Sequence, residues 1–549
     1  MSKKVQTWAK QAVYQIYPRS FCDSNGDGIG DIPGIISKLD YLKDLGIGII
    51  WLSPIYASPQ FDLGYDISNY YEINPEYGTM EDFDRLLEEA NKRGIKIVMD
   101  LVANHTSNQH PWFIASLDPS LPYHDYYIYK KGKEPNGKKP PNNWTSNFSG
   151  SAWTYVPEID EWYLHLFAKE QPDLNWHNPK VIEEVEKIIA FYMDKGVYGF
   201  RCDVITQIYK ESYEDGKGKF PIGIGGEHYL LSEGNHRCLR KLYDDVYVRY
   251  EDHLVVGETS GITPEQGQAM LDNKELDMFF EFDHILADSI SMIWPTKLNV
   301  EKFKNALFSY QKKVSWNAVY LENHDQRRSL PRYGSEDYPL VSGKALAILL
   351  LTLRGTPFIY QGQEIGMRNI PHNNPRNTHD IAMTMMFKVL DRFPIPEGIK
   401  RKILNQHDRD HARTPMQWND GVSAGFSTSE KTWIDVNPNY KEINVEAQLQ
   451  EEDSLLHFYQ KMLHMRRDND VLTQGQFVEF PTKGSLICYR RVLGTRSILV
   501  MINLSKKNLK RPKALAHIEG KLLASSYPDS TCSSDKPLRP YEALVIDLE

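Results

Sequence analysis

At 549 residues the chain exceeds what one hydrophobic core supports, roughly 250–300 residues, so a large domain with one or two smaller units is expected. The composition, 41% hydrophobic and 25% charged, is that of a soluble globular protein. A net charge of −9 argues against nucleic-acid or anionic-membrane partners, which need a clustered basic surface.

Five scattered cysteines (Cys22, Cys202, Cys238, Cys488, Cys532), without a Cys-x-x-Cys pair, point to reduced thiols and not to a disulfide framework or zinc site. No stretch approaches the ~18–20 apolar residues of a membrane span. The first residues, Met1–Trp8, lack the apolar core of a secretory leader. A soluble, cytoplasmic monomer is the expectation.

In chain order, short apolar runs recur with helical patterns between most of them. They are Ala12–Tyr17, Gly48–Ser53 after the amphipathic stretch Ile35–Leu45, Ile95–Val102 after Met80–Arg93, Tyr198–Val204, Leu254–Glu258, Met278–Phe282, Ala318–Glu322 and Pro357–Gln361. Eight such runs predict an α/β fold, a parallel (β/α)8 TIM barrel. A doubly wound sheet is the rival, but no Gly-x-Gly-x-x-Gly turn follows the first run. The stretch from His105 to Trp176 breaks the rhythm and predicts a small inserted domain after the third strand. From Gln474 onward, Gln476–Phe480, Leu486–Arg491, Ser497–Ile502 and Ala543–Leu548 alternate with turns and predict a C-terminal antiparallel β-sandwich. The expected division is 1–104 and 177–473 for the barrel, 105–176 for the insert and 474–549 for the sandwich.

Active sites of such barrels lie at the C-terminal ends of the strands. The third run ends with Asp100, Asn104 and His105, the fourth with Arg201 and Asp203, the fifth with Glu258, the seventh with His324 and Asp325. Three carboxylates, Asp203, Glu258 and Asp325, thus converge on one mouth. Glycoside hydrolysis needs one charged and one protonated carboxyl about the glycosidic bond. Arg201 shares a strand face with Asp203 and is expected to keep it ionised. Glu258, without so close a partner in sequence, is expected to carry the proton.

These segments resemble the signature regions of the α-amylase family, glycoside hydrolase family 13, from about Val13 to the C-terminal unit. The resemblance implies a retaining mechanism with Asp203 of GFRCD as nucleophile, Glu258 as general acid/base and Asp325 of NHD as transition-state stabiliser. It further implies that His105, Arg201 and His324 line the site of the non-reducing glucose, gripped by Asp62 and Tyr65 of DLGYDI. QPDLNW, beginning at Gln171, and HARTPMQW, with Arg413 reaching the terminal sugar, are similar to motifs of the oligo-1,6-glucosidase subgroup. Phe148 and Phe167 fall where that subgroup places the aromatic walls of a closed pocket. The implied activity is exo-acting α-glucosidase action on short substrates. Val204 after the nucleophile accompanies α-1,6 cleavage in the subgroup and thereby favours isomalto-oligosaccharides.

The loop Asp23–Asp31 spaces oxygen donors at positions 1, 3, 5 and 9, as in the first part of an EF-hand, but Gly34 stands where the closing glutamate belongs. By resemblance to related glucosidases, Asp23, Asn25, Asp27, the Ile29 carbonyl and Asp31 would hold a structural Ca2+ or Mg2+. Other features keep other substrates open. Arg327-Arg328 after NHDQ would suit an anionic aglycone such as trehalose 6-phosphate. The glycine-rich Gly218–His236 departs from relatives on the leaving-group side. An α-1,4-glucosidase or sucrase, a sucrose isomerase or transglucosidase, and an inactive barrel-type binding protein are the further alternatives.

Overall fold

The computed structural model describes residues 6–133, 137–218, 222–290, 294–371, 378–532 and 535–548. Eight strands, β1 (Val13–Ile16), β2 (Ile49–Leu52), β3 (Lys96–Val102), β4 (Gly199–Asp203), β5 (Leu254–Glu258), β6 (Met278–Phe280), β7 (Ala318–Val319) and β8 (Thr356–Tyr360), close into a parallel barrel. Their order round the barrel is their order in the chain, and β1 closes on β8 through Val13–Phe358 and Gln15–Tyr360. The pleat divides each strand: Val13, Ile49, Trp51, Val98, Leu254, Val256, Phe280 and Phe358 form one buried cluster. Tyr14, Ile50, Leu52, Ile97, Met99, Phe200, Val255 and Phe279 belong to the other, with the apolar faces of the helices. Both faces are covered, which is why the strands read as unbroken apolar runs.

The helices between them are bounded by ordinary capping chemistry. Met80–Lys92 begins at a capping box between Thr79 and Asp82 and buries Phe83, Leu86 and Ala90. Pro179–Lys195 starts at the Asn178 cap with proline in its first turn. It ends at Gly196, whose φ of 105° supplies the left-handed turn leading to β4. The amphipathic stretch expected over Ile35–Leu45 is two helices, Ile32–Ser37 and Leu39–Leu45, broken at Lys38. The Asp31 carboxylate caps the first by accepting the Gly34 N–H at 2.6 Å.

After β3 the chain leaves the barrel. Helix Pro111–Ser116 and an antiparallel sheet of Tyr129–Lys130, Glu161–Leu164 and Trp153–Val156, with Glu161–Leu164 central, make up this excursion. Bridges His105–Asp173 and Tyr127–Leu174 tie its two ends together. A buried Lys210–Asp173 ion pair of 2.6 Å fastens it to the loop after β4. Within its lysine-rich loop, residues 134–136 lie outside the described residues.

The C-terminal unit is a five-stranded antiparallel sheet of β9 (Gln476–Glu479), β10 (Leu486–Leu493), β11 (Arg496–Asn503), β12 (Lys521–Ser525) and β13 (Ala543–Asp547) in the order β9-β10-β11-β13-β12. Ile487, Tyr489, Val500, Ile502 and Val545 join the main core together with the helix Pro339–Thr352, buried from Ser342 onward. The opposite face (Leu486, Cys488, Leu499, Met501, Leu544, Ile546) is covered by Leu509, Leu515, Cys532 and Leu538. The second layer is therefore supplied by these four side chains and not by a second sheet among the described residues. All five cysteines are free. Among the described residues no helix is long and apolar enough to cross a membrane.

Candidate active site

Barrel topology brings the ends of β3, β4, β5 and β7 to one face, and their polar residues meet there. Arg201, 2% exposed, is the hub. Its Nη1 donates to Asp100 Oδ1 at 2.7 Å and to Asp203 Oδ1 at 2.6 Å, and its Nη2 donates to Glu258 Oε2 at 2.6 Å. One guanidinium thus serves three carboxylates. Burial raises the Asp203 carboxyl well above the usual carboxylate range; Arg201 opposes this, and the nearby Glu258 and Asp100 reinforce it. Asp100 is pushed up to about 6, again by burial, with Arg201 opposing.

Arg201 meets Asp203, as their shared strand face predicts, but Glu258, without so close a partner in sequence, meets the same guanidinium in space. Arg201 is divided among all three carboxylates, and Glu258 Oε2 also accepts the Val204 N–H at 3.0 Å. Val204 adopts φ 38°, ψ 38°, a left-handed conformation costly for a β-branched residue. That turn aims its N–H at Glu258. The residue singled out for linkage preference is thus also the one whose backbone holds the Glu258 carboxylate.

Asp325 closes the opposite side. Burial would raise its carboxyl, but His324, Arg409 and Arg413 outweigh that and hold it far below the usual range. Arg413 Nη2 lies 2.9 Å and Arg409 Nη1 3.3 Å from Asp325 Oδ1. His324 is sandwiched between Tyr65 and Tyr17, at ring distances of 5.3 and 6.1 Å. Gln15 Nε2 donates to its Nδ1 at 2.7 Å, so the ring proton sits on Nε2, 2.6 Å from the Tyr65 hydroxyl. Burial lowers His324 to about 3, and the ring is neutral.

Arg409 also reaches Asp62, which takes Arg409 Nη2 at 3.0 Å and Gln171 Nε2 at 3.3 Å. Phe148 and Phe167 stand edge to face at 5.4 Å, Phe167 against His105 and Phe148 under the Arg409 guanidinium. Every substrate-site residue expected from sequence is therefore gathered here.

Sequence reasoning missed Arg409, its fully buried partner Asp380 (2.6 Å) and Gln15. Arg409 had one available signal: it stands four residues before Arg413, the spacing that puts two side chains on one helical face.

The two arginines after NHDQ part company. Arg328 is wholly buried, paired to Glu322 at 3.0 Å and bonded to the carbonyls of Gln361 and Ala412, so it is a structural group. Arg327 shares Asp288 with Arg332, which leaves it engaged and not an open anion receptor. Of the glycine-rich segment Gly218–His236, residues 219–221 lie outside the described residues. Ile224 pairs with Thr145 of the insert through the Thr145 N–H to Ile224 carbonyl bond of 3.2 Å.

The loop Asp23–Asp31 offers hard oxygen donors, and none of its aspartates has an ion pair among the described residues. Asp31 is raised by burial, with Asp23 adding to the rise. That uncompensated negative charge fits a divalent cation in kind. As arranged, the carboxylates serve the loop's own amides: Asp23 accepts from Asn25, Gly26 and Gly28, and Asp31 from Ser24 and Gly34. Among the described residues no group of three or more His, Cys, Asp or Glu gathers round one point.

The "Alpha amylase, catalytic domain" family matches residues 15–475. Oligo-1,6-glucosidase of Parageobacillus thermoglucosidasius is 45% identical over 98% of both chains. Among solved structures, trehalose-6-phosphate hydrolase of Bacillus licheniformis superposes with a TM-score of 0.92 at 39% identity, covering 99% of both chains. Isomaltulose synthase of Klebsiella sp. LX3 does so with 0.93 at 38% identity, also covering 99% of both.

Proposed function

This chain belongs to the α-amylase family of glycoside hydrolases, and within it we propose a retaining, exo-acting α-glucosidase that favours α-1,6 links in short isomalto-oligosaccharides. The observation that carries the reading is the grouping of these side chains at the barrel mouth. Three strand-end carboxylates stand together with Asp62, Arg409, Arg413 and the Phe148–Phe167 pair, a set that suits a single terminal glucose.

In this reading Asp203 attacks the anomeric carbon as Glu258 protonates the departing glycosidic oxygen, giving a glucosyl-aspartate. Glu258 then takes a proton from water, which attacks the same carbon, frees Asp203 and restores the α configuration. A single guanidinium reaching both carboxylates suits the ~5–5.5 Å separation of a retaining pair better than the wider gap of an inverting one. Arg201, neutralising part of the charge of both, would steady Asp203 as a leaving carboxylate in the second step. Asp325, held ionised by Arg409 and Arg413, would stabilise the oxocarbenium-like transition state.

The α-1,6 preference rests on Val204 and on the oligo-1,6-glucosidase relatives. The engagement of Arg327 by Asp288 and the burial of Arg328 weigh against a phosphorylated aglycone. The loop Asp23–Asp31 would take a structural Ca2+ (or Mg2+), and the protein would act in the cytoplasm as a monomer. The test is kcat/KM on isomaltose, maltose, sucrose, trehalose and trehalose 6-phosphate. Isomaltose should lead; maltose ahead by about tenfold would overturn the α-1,6 assignment, and isomeric disaccharides from sucrose would overturn simple hydrolysis.

A further inference from the structure

The glycine-rich stretch after β4 grips the insert. Asn143 reads Gly216 as a neighbouring strand would: its side-chain oxygen accepts the Gly216 N–H at 2.7 Å, and its NH2 donates to the Gly216 carbonyl at 2.9 Å. Beside it the buried Trp144 indole donates to the Glu214 carbonyl at 2.8 Å. Gly225 lies directly on that indole. Its φ is 103°, and a Cβ there would stand 2.6 Å from Trp144 Cγ and Cδ1, so the position needs glycine on both counts. Its neighbour Ile224 is tied to Thr145 in both directions. The Ile224 N–H donates to Thr145 Oγ1 at 2.9 Å, and the Thr145 N–H donates to the Ile224 carbonyl at 3.2 Å.

Thr145 leads into the tip that carries the aromatic wall. Ser146, fully buried, donates its hydroxyl to the Phe167 carbonyl at 2.8 Å and accepts the Phe148 N–H at 2.9 Å, so one oxygen links the backbones of both aromatic residues. Asn147 donates from Nδ2 to Gln207 Oε1 at 3.1 Å, four residues beyond Asp203. The tip is thereby fixed to the chain after β4 at two points, Gln207 and Ile224. Phe148 at its end lies 5.3 Å under the Arg409 guanidinium. We propose that Thr145 and Gly225 are positioning residues, through which the glycine-rich stretch holds Phe148 in place as a wall of the sugar site. The proposal rests on the glycosidase reading of that site. A wall meets the glucose alike in the bound and in the transition state, so its displacement should appear in KM more than in kcat.

Thr145→Val keeps the shape of the side chain and removes the acceptor for the Ile224 N–H. Gly225→Ala drives the stretch off the Trp144 ring. On p-nitrophenyl α-glucoside, KM should rise about threefold or more in the first and about tenfold or more in the second, with kcat within about twofold of wild type; a misplacement of ~1 Å can cost about 100-fold. In a Phe148→Ala background each change should cost less than about twofold.

Equal losses in the two backgrounds, a loss carried by kcat with KM unchanged, or full activity in either variant would overturn the proposal. Should Gly225→Ala not fold, Thr145→Val alone decides. Wild-type protein inactive on every α-glucoside would fail the glycosidase reading, whereas active protein with additive losses fails this proposal alone.

Discussion

Asp203→Asn asks whether the site holds more negative charge than its one cation balances. Asp100, Asp203 and Glu258 share Arg201, and Asn keeps the volume and the acceptor for Nη1 while removing one charge. Asp100 sets the scale. Its shift from 3.8 to about 6 corresponds, at ~1.4 kcal/mol per unit, to about 3 kcal/mol working against the fold at neutral pH. Removing the Asp203 charge should therefore stabilise the protein by about 1–3 kcal/mol while costing several orders of magnitude in kcat.

With an unfolding entropy of ~2 cal/mol/K per residue, 549 residues translate this into a rise of about 1–3 °C in Tm. A carboxyl raised in the folded state binds its proton more tightly there, so the wild type loses stability as pH climbs from about 4 through the folded value. The advantage of the variant should be absent near pH 4 and grow as pH rises. Scanning calorimetry across that range is the assay. A lower Tm at pH 7–8, or a gain that does not change with pH, would refute the charge-crowding account.

Arg409→Met strips Asp62 and Asp380 of their shared cation and leaves Asp325 with Arg413 and His324. It should lower kcat/KM by about 100-fold or more and move the acid limb of the pH–rate profile to higher pH as Asp325 is held down less firmly; an unshifted limb would contradict the role given to Arg409. For the Asp23–Asp31 loop, EDTA should lower Tm by several degrees and added Ca2+ should restore it. Unchanged Tm in both steps would count against a metal there.

The barrel was legible because its strands are buried on both faces. Leu254–Glu258, for instance, reads as a four-residue apolar run closed by a carboxylate. Lys521–Ser525 was not legible, since it is half-exposed and a register shift between Leu522 and Ala524 breaks its alternation. The three site carboxylates announced themselves at strand ends. Their charge balance did not. Arg201 stands beside Asp203 in sequence, and only the closure of the barrel shows Glu258, 57 positions away, on the same guanidinium.

Arg409 was missed for a related reason. Its partners Asp62 and Asp380 lie 347 and 29 positions away, and ion pairs at such separations leave no local pattern. Lys210 is the same case, since its partners come from the insert and from the end of β3 and not from its neighbours in sequence.

The central claim is that Asp203 forms a covalent glucosyl intermediate. Incubation with 5-fluoro-α-glucosyl fluoride, followed by peptide mass spectrometry, tests it most directly, because the fluorine slows breakdown of the intermediate. One sugar should be found on the peptide carrying Gly199–Asp203, attached at Asp203. A sugar on Glu258 or Asp325, or hydrolysis releasing β-glucose with no adduct at all, would contradict it.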